Sequence, residues 1–368
     1  MKIVLIANTS WGHYNSRLRL GTALRDRGHE AVFLSPADAY SQLLIDSGFR
    51  WVHLPLRPRG RNILLEGGSI AFLVHLLRRE RPHLVHNFTP KGVIYGSIAA
   101  KAAGIHGVIN TITGLGYVFS EPSQRGLQEV VTHLYGLALK NTTVVFQNAD
   151  DQRFFEVRRL VSAARAKLIR GSGVDTSRYV ETPEVDGSPV VMLSSRFVEE
   201  KGIRDFVEAS RILRSQDTDI RFVLVGRPED DQPTAIKNDE ITQWVSEGLI
   251  EWWGWHNNME QIYPLAHIVC LPTYYMEGVP KSLLEAAACA RPIVATDVPG
   301  CREIVREGEN GFLVPPRNAT ELARAIAKLA ADGKLRAQMG RIGRELALGT
   351  FSMEKIIPAY FDIYGIPY

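Results

Sequence analysis

Residues 268–285 read IVCLPTYYMEGVPKSLLE, and the architecture can be worked out from this stretch. The apolar run Ile268 to Leu271 predicts a buried strand, and the glycine and proline after it predict a turn into a helix. Pro280 is expected at the first helical position. Such a turn directs backbone N–H groups and a helix N-terminus past the end of the strand. The stretch therefore predicts an anion site, suited to a diphosphate.

Two glutamates, Glu277 and Glu285, bracket this predicted turn. A carboxylate close to bound phosphates would repel them, so we expect both to contact neutral hydroxyls, one on a ribose and one on a sugar. Two glutamates at this spacing would otherwise be a surface coincidence. Their position after a buried strand and a glycine turn favours the site.

Strand and helix patterns alternate in two series, which predicts two doubly wound α/β domains with parallel strands and ligands at the carboxyl ends. The polar segment 179–189 contains two prolines and is interpreted as a linker. We expect an N-terminal domain over residues 1–180 and a C-terminal domain over residues 186–350. A last helix, at about residues 353–368, is expected to pack back on the first domain. Residues 320–348 are expected to form one helix.

Length and composition agree with this organisation, since 368 residues suit two domains. No apolar run approaches the roughly 18 residues of a membrane span, so we expect a cytoplasmic protein whose first apolar run, Lys2 to Ala7, is a strand. Three cysteines without close spacing, Cys270, Cys289 and Cys301, are expected to pack in the core.

Charge is unevenly distributed. Residues 1–175 carry 22 Lys+Arg against 12 Asp+Glu, and residues 176–368 carry 21 against 28, giving +10 and −7. The first half should attract an anionic partner, either a phosphate-bearing acceptor or an anionic membrane surface. Nucleic acid is not expected, because the basic residues are scattered.

Residues 70–79 could form a basic amphipathic helix on the inner face of the cytoplasmic membrane, flanked by Arg57, Arg59 and Arg61. An ordinary buried helix with a solvated end is the alternative.

Arg196 and Lys201 follow the first predicted strand of the second series, in SRFVEEKG. A guanidinium and an ammonium at this turn could neutralise a diphosphate and stabilise it as it leaves. The alternative is a solvated loop in which they pair with Glu199 and Glu200.

These motifs together resemble glycosyltransferase family 4. The shared features are R-x4-K-G, a glycine at Gly226 after a strand, E-x7-E, and the following PIVATD and PG. The resemblance implies the GT-B fold, two Rossmann-like domains facing each other across a cleft, and a retaining glycosyltransferase. It further implies that Arg196 and Lys201 bind the donor diphosphate and take part in catalysis with Glu277. It places the sugar at Glu277 and Gly278, with Val279 beside them, and the ribose at Glu285.

By the same resemblance the nucleobase would lie near Gly226 and Trp255. Residues 245–272, with the run WWGW, and residues 110–119 are similar to a subgroup that extends undecaprenyl-diphosphate-linked saccharides. An aromatic run on a strand also packs cores, so Trp252 is expected in the core and Trp255 in the cleft.

Acceptor-side candidates come from the first half. Gly12 and Gly114 are expected in glycine turns that let the backbone approach a ligand. Gly12 is also a candidate for contact with the donor. His13, His86 at a strand end, Lys91 and Thr113 are the polar candidates; a core histidine is the alternative for His86. This chain has Thr113-Gly114 where many family members have a histidine before glycine. The departing phosphate oxygen could take the acceptor proton instead.

No metal or other cofactor is expected. The D-x-D of Asp217 and Asp219 precedes its strand and is interpreted as a turn, and Asp230 and Asp231 have no third ligand nearby.

The predicted function is transfer of a hexose or N-acetylhexosamine from a UDP-sugar to a saccharide hydroxyl, in bacterial surface polysaccharide or glycan synthesis. The subgroup resemblance implies that the saccharide acceptor is lipid-linked. A GT-B-fold epimerase or hydrolase acting on the nucleotide sugar, and a non-catalytic nucleotide-sugar-binding protein, are the alternatives.

Overall fold

The computed structural model describes residues 1–56, 63–120, 125–229 and 232–367, without the side chains of 63–65, 117 and 120. The chain divides into two compact units, Met1–Ser172 with Ile356–Tyr368, and Gly173–Lys355. The division therefore falls before the boundary predicted at residue 180. The segment interpreted as a linker belongs to the second unit, because Tyr179 packs in that unit's core and Arg291 donates to the Thr182 carbonyl.

The first unit is built on a seven-stranded parallel sheet in the order β3-β2-β1-β4-β5-β6-β7. Its strands are β1 Lys2–Ile6, β2 Glu30–Ser35, β3 Arg50–His53, β4 Leu84–Phe88, β5 Val108–Ile112, β6 Thr143–Phe146 and β7 Ala166–Leu168. Its helices are α1 Ser10–Asp26, α2 Ser41–Asp46, α3 Ile63–Glu80, α4 Pro90–Ala102, α5 Tyr117–Ser120, α6 Arg125–Ala138 and α7 Ala149–Val157. Strands β4 and β5 are buried along their whole length, as expected for a sheet covered by helices on both faces.

The second unit carries a six-stranded parallel sheet in the order β10-β9-β8-β11-β12-β13. Its strands are β8 Val190–Ser194, β9 Arg221–Val225, β10 Glu251–Gly254, β11 Ile268–Leu271, β12 Ile293–Thr296 and β13 Gly311–Val314. Its helices are α8 Ile203–Arg214, α9 Asn238–Ser246, α10 Met259–Ile262, α11 Lys281–Ala288, α12 Pro299–Ile304, α13 Ala319–Ala330 and α14 Gly333–Leu346, with 3-10 turns at Glu199–Lys201 and Tyr263–Leu265 and a π turn at Ala347–Phe351.

The last helix, α15 Met353–Tyr364, begins in the second unit and continues into the first. Ile356, Tyr360, Phe361 and Tyr364 lie in the same hydrophobic cluster as Ile3 of β1. The C-terminal helix is thus part of the first unit's core.

The predicted helix over residues 320–348 is two helices. The side chain of Asp332 accepts from the Leu335 amide and caps a new helix, which interrupts the periodic pattern that we interpreted as continuous.

Each sheet has a switch point where the strand order reverses, between β1 and β4 in the first unit and between β8 and β11 in the second. In open α/β sheets, ligands bind beyond the carboxyl ends of the strands at such a point. The two turns that carry the sequence motifs of the second unit follow β8 and β11, so the fold brings them together.

Candidate active site

The turn after β8 ends at the switch point of the second unit. Residues Glu199–Lys201 form a 3-10 turn that ends at Gly202, whose φ is 72°. A Cβ on Gly202 would lie 2.0 Å from the Pro272 carbonyl oxygen, just after β11. Only glycine fits this close approach, so the Lys-Gly pair fixes the turn after β8 against the turn after β11.

Lys201 and Glu277 meet between these two turns. The Lys201 Nζ lies 2.5 Å from the Glu277 Oε1, and the two side chains keep only 10% and 18% of their exposure. Thr273 holds the loop after β11 against the turn after β8, because its hydroxyl donates to the Glu200 carbonyl at 2.9 Å. The Lys201 ammonium also lies 5.6 Å from the centre of the Tyr275 ring.

Arg196 is held from the other side by Glu229, with 3.0 Å between Nη1 and Oε2. Burial opposes the charge of Arg196, but Glu229, Tyr275 and Glu277 outweigh it, and the pKa of Arg196 is raised. The guanidinium therefore lies within electrostatic range of the Glu277 carboxylate.

The solvated-loop alternative for the turn after β8 is wrong. Glu199 pairs with Arg204, and the Glu200 carboxylate accepts from the Thr234 hydroxyl. Neither glutamate pairs with the two site cations in the described part of the chain.

The loop that carries Glu277 and Gly278 ends at Pro280, which is the N-cap of α11. The helix begins at Lys281, so the prediction that Pro280 takes the first helical position is wrong. A Cβ on Gly300, in α12, would lie 1.7 Å from the Gly278 carbonyl oxygen, so the Pro-Gly motif lets α12 support this loop. The Val279 side chain is in the core, which leaves its backbone for ligand contact.

Glu285 lies on α11, and its side chain is 9% exposed. The Lys281 ammonium is 3.4 Å from its Oε1. Burial, and then the charge and hydrogen bond of Glu285, raise the pKa of Tyr179, so the two side chains are in contact. Tyr179, in the segment that precedes β8, therefore lies near this carboxylate.

Gly226 follows β9 and lies beside the tryptophan run. Its amide donates to the Gly254 carbonyl at 2.8 Å, and its carbonyl accepts from the Trp252 indole at 2.9 Å. Trp255 is half-buried under the Arg227 guanidinium, 4.9 Å from its ring. The expectation that Trp252 packs in the core is wrong: it is 39% exposed, because the register shift between Trp252 and Gly254 puts Trp253 against the core instead.

This arrangement can bind an extended anionic ligand. Two cations stand at the carboxyl ends of the central strands, the N-terminus of α11 adds positive potential, and Glu277 and Glu285 offer acceptors for hydroxyls. The four predicted donor-site side chains all lie in the second unit. Lys201 and Glu277 are in direct contact, and Glu285 has its own partners farther along α11.

The candidates of the first unit are distributed differently. His86 is in the middle of β4 and not at its end, since the strand continues to Phe88. It is fully buried, with Nδ1 2.6 Å from the Tyr364 hydroxyl and Nε2 2.7 Å from the Thr111 hydroxyl. Burial, with the charge of Arg17, lowers its pKa well below 6.5. The core alternative therefore describes His86.

His13 and Gly12 lie inside α1 and not in a turn, because Thr9 caps the helix by accepting from the Gly12 amide at 3.0 Å. The expected glycine turn at Gly12 is therefore wrong. His13 is fully buried, its Nε2 is 3.0 Å from the Leu34 carbonyl, and burial lowers its pKa to about 4. It is a neutral core residue.

The remaining acceptor candidates are nearer the strand ends. Lys91, near the start of α4, lies 2.6 Å from Glu66. Thr113 is half-buried, and Gly114, with a φ of 112°, forms the expected turn after β5.

The cysteines and the D-x-D also have defined positions. The three cysteines are free and buried. Asp219 accepts from Ser188 before β9, so the D-x-D is a turn. The structure groups no three His, Cys, Asp or Glu side chains as a metal site among the described residues. Residues 57–62, with Arg57, Arg59 and Arg61, and Asp230 and Asp231 lie outside them.

Helix α3 packs Leu73, Leu76 and Leu77 into the core. For residues 70–79 the structure therefore agrees with the alternative interpretation, an ordinary buried helix. Within the described ranges, no helix has the length and apolar character needed to cross a bilayer.

Three site residues were missed from the sequence. Glu229 and Tyr179 are remote along the chain from the residues they hold, and no motif marks them. Tyr275 lies within residues 268–285, and its place two residues before Glu277 was the available signal.

The two-unit α/β architecture with a switch-point site is that of the GT-B glycosyltransferases, and comparison with known proteins agrees. Residues 2–149 match the family model described as glycosyl transferase 4-like, and residues 188–332 match glycosyl transferases group 1. The chain belongs to this glycosyltransferase family.

Several relatives have named activities, and the names of two of them include a diphospho-undecaprenol-linked sugar. One is the N,N'-diacetylbacillosaminyl-diphospho-undecaprenol alpha-1,3-N-acetylgalactosaminyltransferase of Campylobacter jejuni, 25% identical over 99% of this chain and 98% of that one. The other is the UDP-Gal:alpha-D-GlcNAc-diphosphoundecaprenol alpha-1,3-galactosyltransferase of Escherichia coli, 23% identical over 87% and 84%. Among solved structures, Anabaena Alr3699/HepE in complex with UDP and glucose is 21% identical, with a TM-score of 0.82 over 99% of both chains.

The predicted GT-B fold and the predicted glycosyltransferase activity are confirmed. The epimerase or hydrolase and the non-catalytic binding protein are not favoured, since the named relatives transfer sugars.

Proposed function

We propose that the protein is a retaining glycosyltransferase that moves a hexose or N-acetylhexosamine from a UDP-sugar to a saccharide linked to polyprenyl diphosphate. The contact between Lys201 and Glu277 carries the proposal, because it puts a phosphate-binding cation next to an acceptor for sugar hydroxyls. The names of the Campylobacter and Escherichia relatives support the lipid-linked acceptor. Such synthesis builds bacterial surface polysaccharides or glycans.

In the proposed reaction, Arg196 and Lys201 stabilise the charge on the diphosphate as its bond to the sugar C1 breaks. The acceptor oxygen bonds to C1 on the same face. The departing phosphate oxygen takes the acceptor proton, a role that the buried and neutral His13 and His86 do not offer. No metal is required, since the two cations and the α11 N-terminus supply the positive charge.

The first unit binds the acceptor in this proposal, with Lys91, Thr113 and Gly114 as candidates, and associates peripherally with the inner face of the cytoplasmic membrane. The excess of basic residues over residues 1–175 supports this location.

The test is UDP release from a panel of UDP-sugars, with and without polyprenyl-diphosphate saccharides. We expect release only with acceptor, a product that keeps the donor's anomeric configuration by NMR, and turnover in the presence of EDTA. Lys201→Ala and Glu277→Ala should fold and lose turnover, whereas Arg204→Ala, in an exposed ion pair next to the site, should retain it. Fast release without acceptor would favour a hydrolase or epimerase.

A further inference from the structure

A groove on the first unit combines open space with apolar and cationic side chains. It lies along α5, α6 and α7 and consists of two cavities of about 680 Å³ and about 530 Å³ that share Leu160. Phe119 and Phe154 form one wall, edge to face with 5.4 Å between ring centres. We call this the α6–α7 groove.

Helix α6 has a second apolar stripe beside the groove. Tyr135 and Ala138 are buried and provide its packing against the unit. Val130 and Leu137, seven residues apart and so on one face, are 56% and 55% exposed, and Val157 at the end of α7 is 73% exposed. Three exposed aliphatic side chains next to an open groove are typical of an interaction surface.

The charge of the groove is positive. Arg125 and Arg158 line the first cavity, and Lys140, Arg159 and Arg165 line the second, against the carboxylates Glu129 and Glu156. The Arg158 guanidinium lies 3.7 Å from the centre of the Phe154 ring, so its charge is held at the apolar wall. Cationic side chains next to apolar ones match the surface of a bilayer, where anionic headgroups lie over hydrocarbon.

Helix α3, the membrane-binding helix considered from the sequence, lacks this combination. Leu73, Leu76 and Leu77 face the core, and the helix packs along α4. Its apolar side is therefore already covered by the first unit.

We propose that the α6–α7 groove is the surface by which the first unit docks on a bilayer that contains anionic lipids. Val130, Leu137 and Val157 enter the interfacial layer, and Arg125 and Arg158 lie among the headgroups. The inference rests on the proposed membrane association and names its surface.

The experiment is flotation of the full chain with vesicles of phosphatidylcholine alone and of equimolar phosphatidylcholine and phosphatidylglycerol. Arg125→Gln/Arg158→Gln should weaken partitioning into the anionic vesicles about 25-fold, at about fivefold per charge. Leu137→Ser/Val157→Ser should weaken it about tenfold through lost apolar burial. These side chains are exposed, so the thermal unfolding midpoint should stay at the wild-type value.

Matched controls separate the outcomes. Arg324→Gln, at an exposed arginine of the second unit, and Phe72→Ser/Arg79→Gln on α3 should float like wild type. Wild type that floats while the groove variants float equally well would overturn the groove and leave membrane association standing. Wild type that does not float would overturn both, while the transferase assay with added acceptor would still test the activity.

A last arm distinguishes a bilayer surface from a pocket for one phosphate group. Inorganic pyrophosphate should release the protein no better than sodium chloride at equal ionic strength. Selective release by pyrophosphate would overturn the docking proposal.

Discussion

The Lys201 ammonium lies 2.5 Å from the Glu277 carboxylate. The two residues are 76 apart along the chain and lie in the turns that follow β8 and β11, the two central strands of the second unit's sheet. Each charge neutralises the other while no donor is bound. A diphosphate that takes over Lys201 would leave Glu277 to accept from a sugar hydroxyl. Under the proposed function, the ion pair would thus couple recognition of the two parts of the donor.

The pair should also be measurable as a coupling energy. Lys201→Met and Glu277→Gln should each cost about 1–3 kcal/mol of unfolding free energy, less than for a fully buried pair because some exposure remains. The double variant should cost less than the sum, because neither charge is then left unpaired. Urea unfolding of the four proteins measures this, and additive costs would show that the contact is not formed in solution.

Glu229 should position Arg196, and two substitutions should act in opposite directions. Glu229→Gln keeps an acceptor for the guanidinium but removes a negative charge near the donor phosphates, so UDP should bind several-fold more tightly at low salt. Glu229→Ala removes the acceptor that orients Arg196, so UDP should bind several-fold more weakly. Titration calorimetry of both variants at low and high salt is the measurement. The same direction of change in both would contradict a positioning role.

Stability should fall in mild acid because of the buried histidines of the first unit. The pKa of His13 is lowered from 6.5 to about 4, and that of His86 is also lowered, so below pH 6.5 the unfolded chain binds more protons than the folded one. Unfolding free energy should therefore decrease from pH 7 to pH 4.5, by about 2–3 kcal/mol from His13 alone. Urea unfolding as a function of pH tests this.

The matched variant is His13→Gln, which can still donate to the Leu34 carbonyl but does not titrate. Its stability should change less with pH over the same range. An unchanged slope would assign the acid sensitivity to other groups.

The C-terminal helix should depend on one hydroxyl. Tyr364 lies 2.6 Å from His86 Nδ1, and Tyr364→Phe would leave a buried ring nitrogen unsatisfied, at a cost of about 1–3 kcal/mol. Hydrogen exchange should show α15 opening more often, with α8 of the second unit as the internal reference. Equal protection of α15 in wild type and variant would contradict this account of how the helix is held.

Much of the fold could be predicted because parallel strands buried on both faces give continuous apolar runs. The strand Ile268–Leu271 has the predicted bounds. The short strand β13, Gly311–Val314, was missed. Helix starts were harder to predict, since α1 begins at Ser10 through the Thr9 cap, before the apolar period becomes visible.

The sequence predicted those donor-site residues that belong to local motifs. Lys201 and Glu277 belong to local motifs at the ends of two strands, and parallel topology brings them together. Glu229 and Tyr179 act across long sequence separations, which no local pattern records. The prediction that His86 ends its strand was wrong because β4 continues to Phe88. His86 and Asn87 are polar residues inside this buried strand.

Titration calorimetry of UDP against wild type, Lys201→Met and Lys91→Met tests the central claim, that the donor diphosphate binds to the switch-point cations of the second unit. We expect wild type and Lys91→Met to bind UDP alike, and Lys201→Met to bind it about 100-fold more weakly, as for loss of one charge-assisted phosphate contact. Wild-type affinity in Lys201→Met, or no UDP binding by wild type, would contradict the claim.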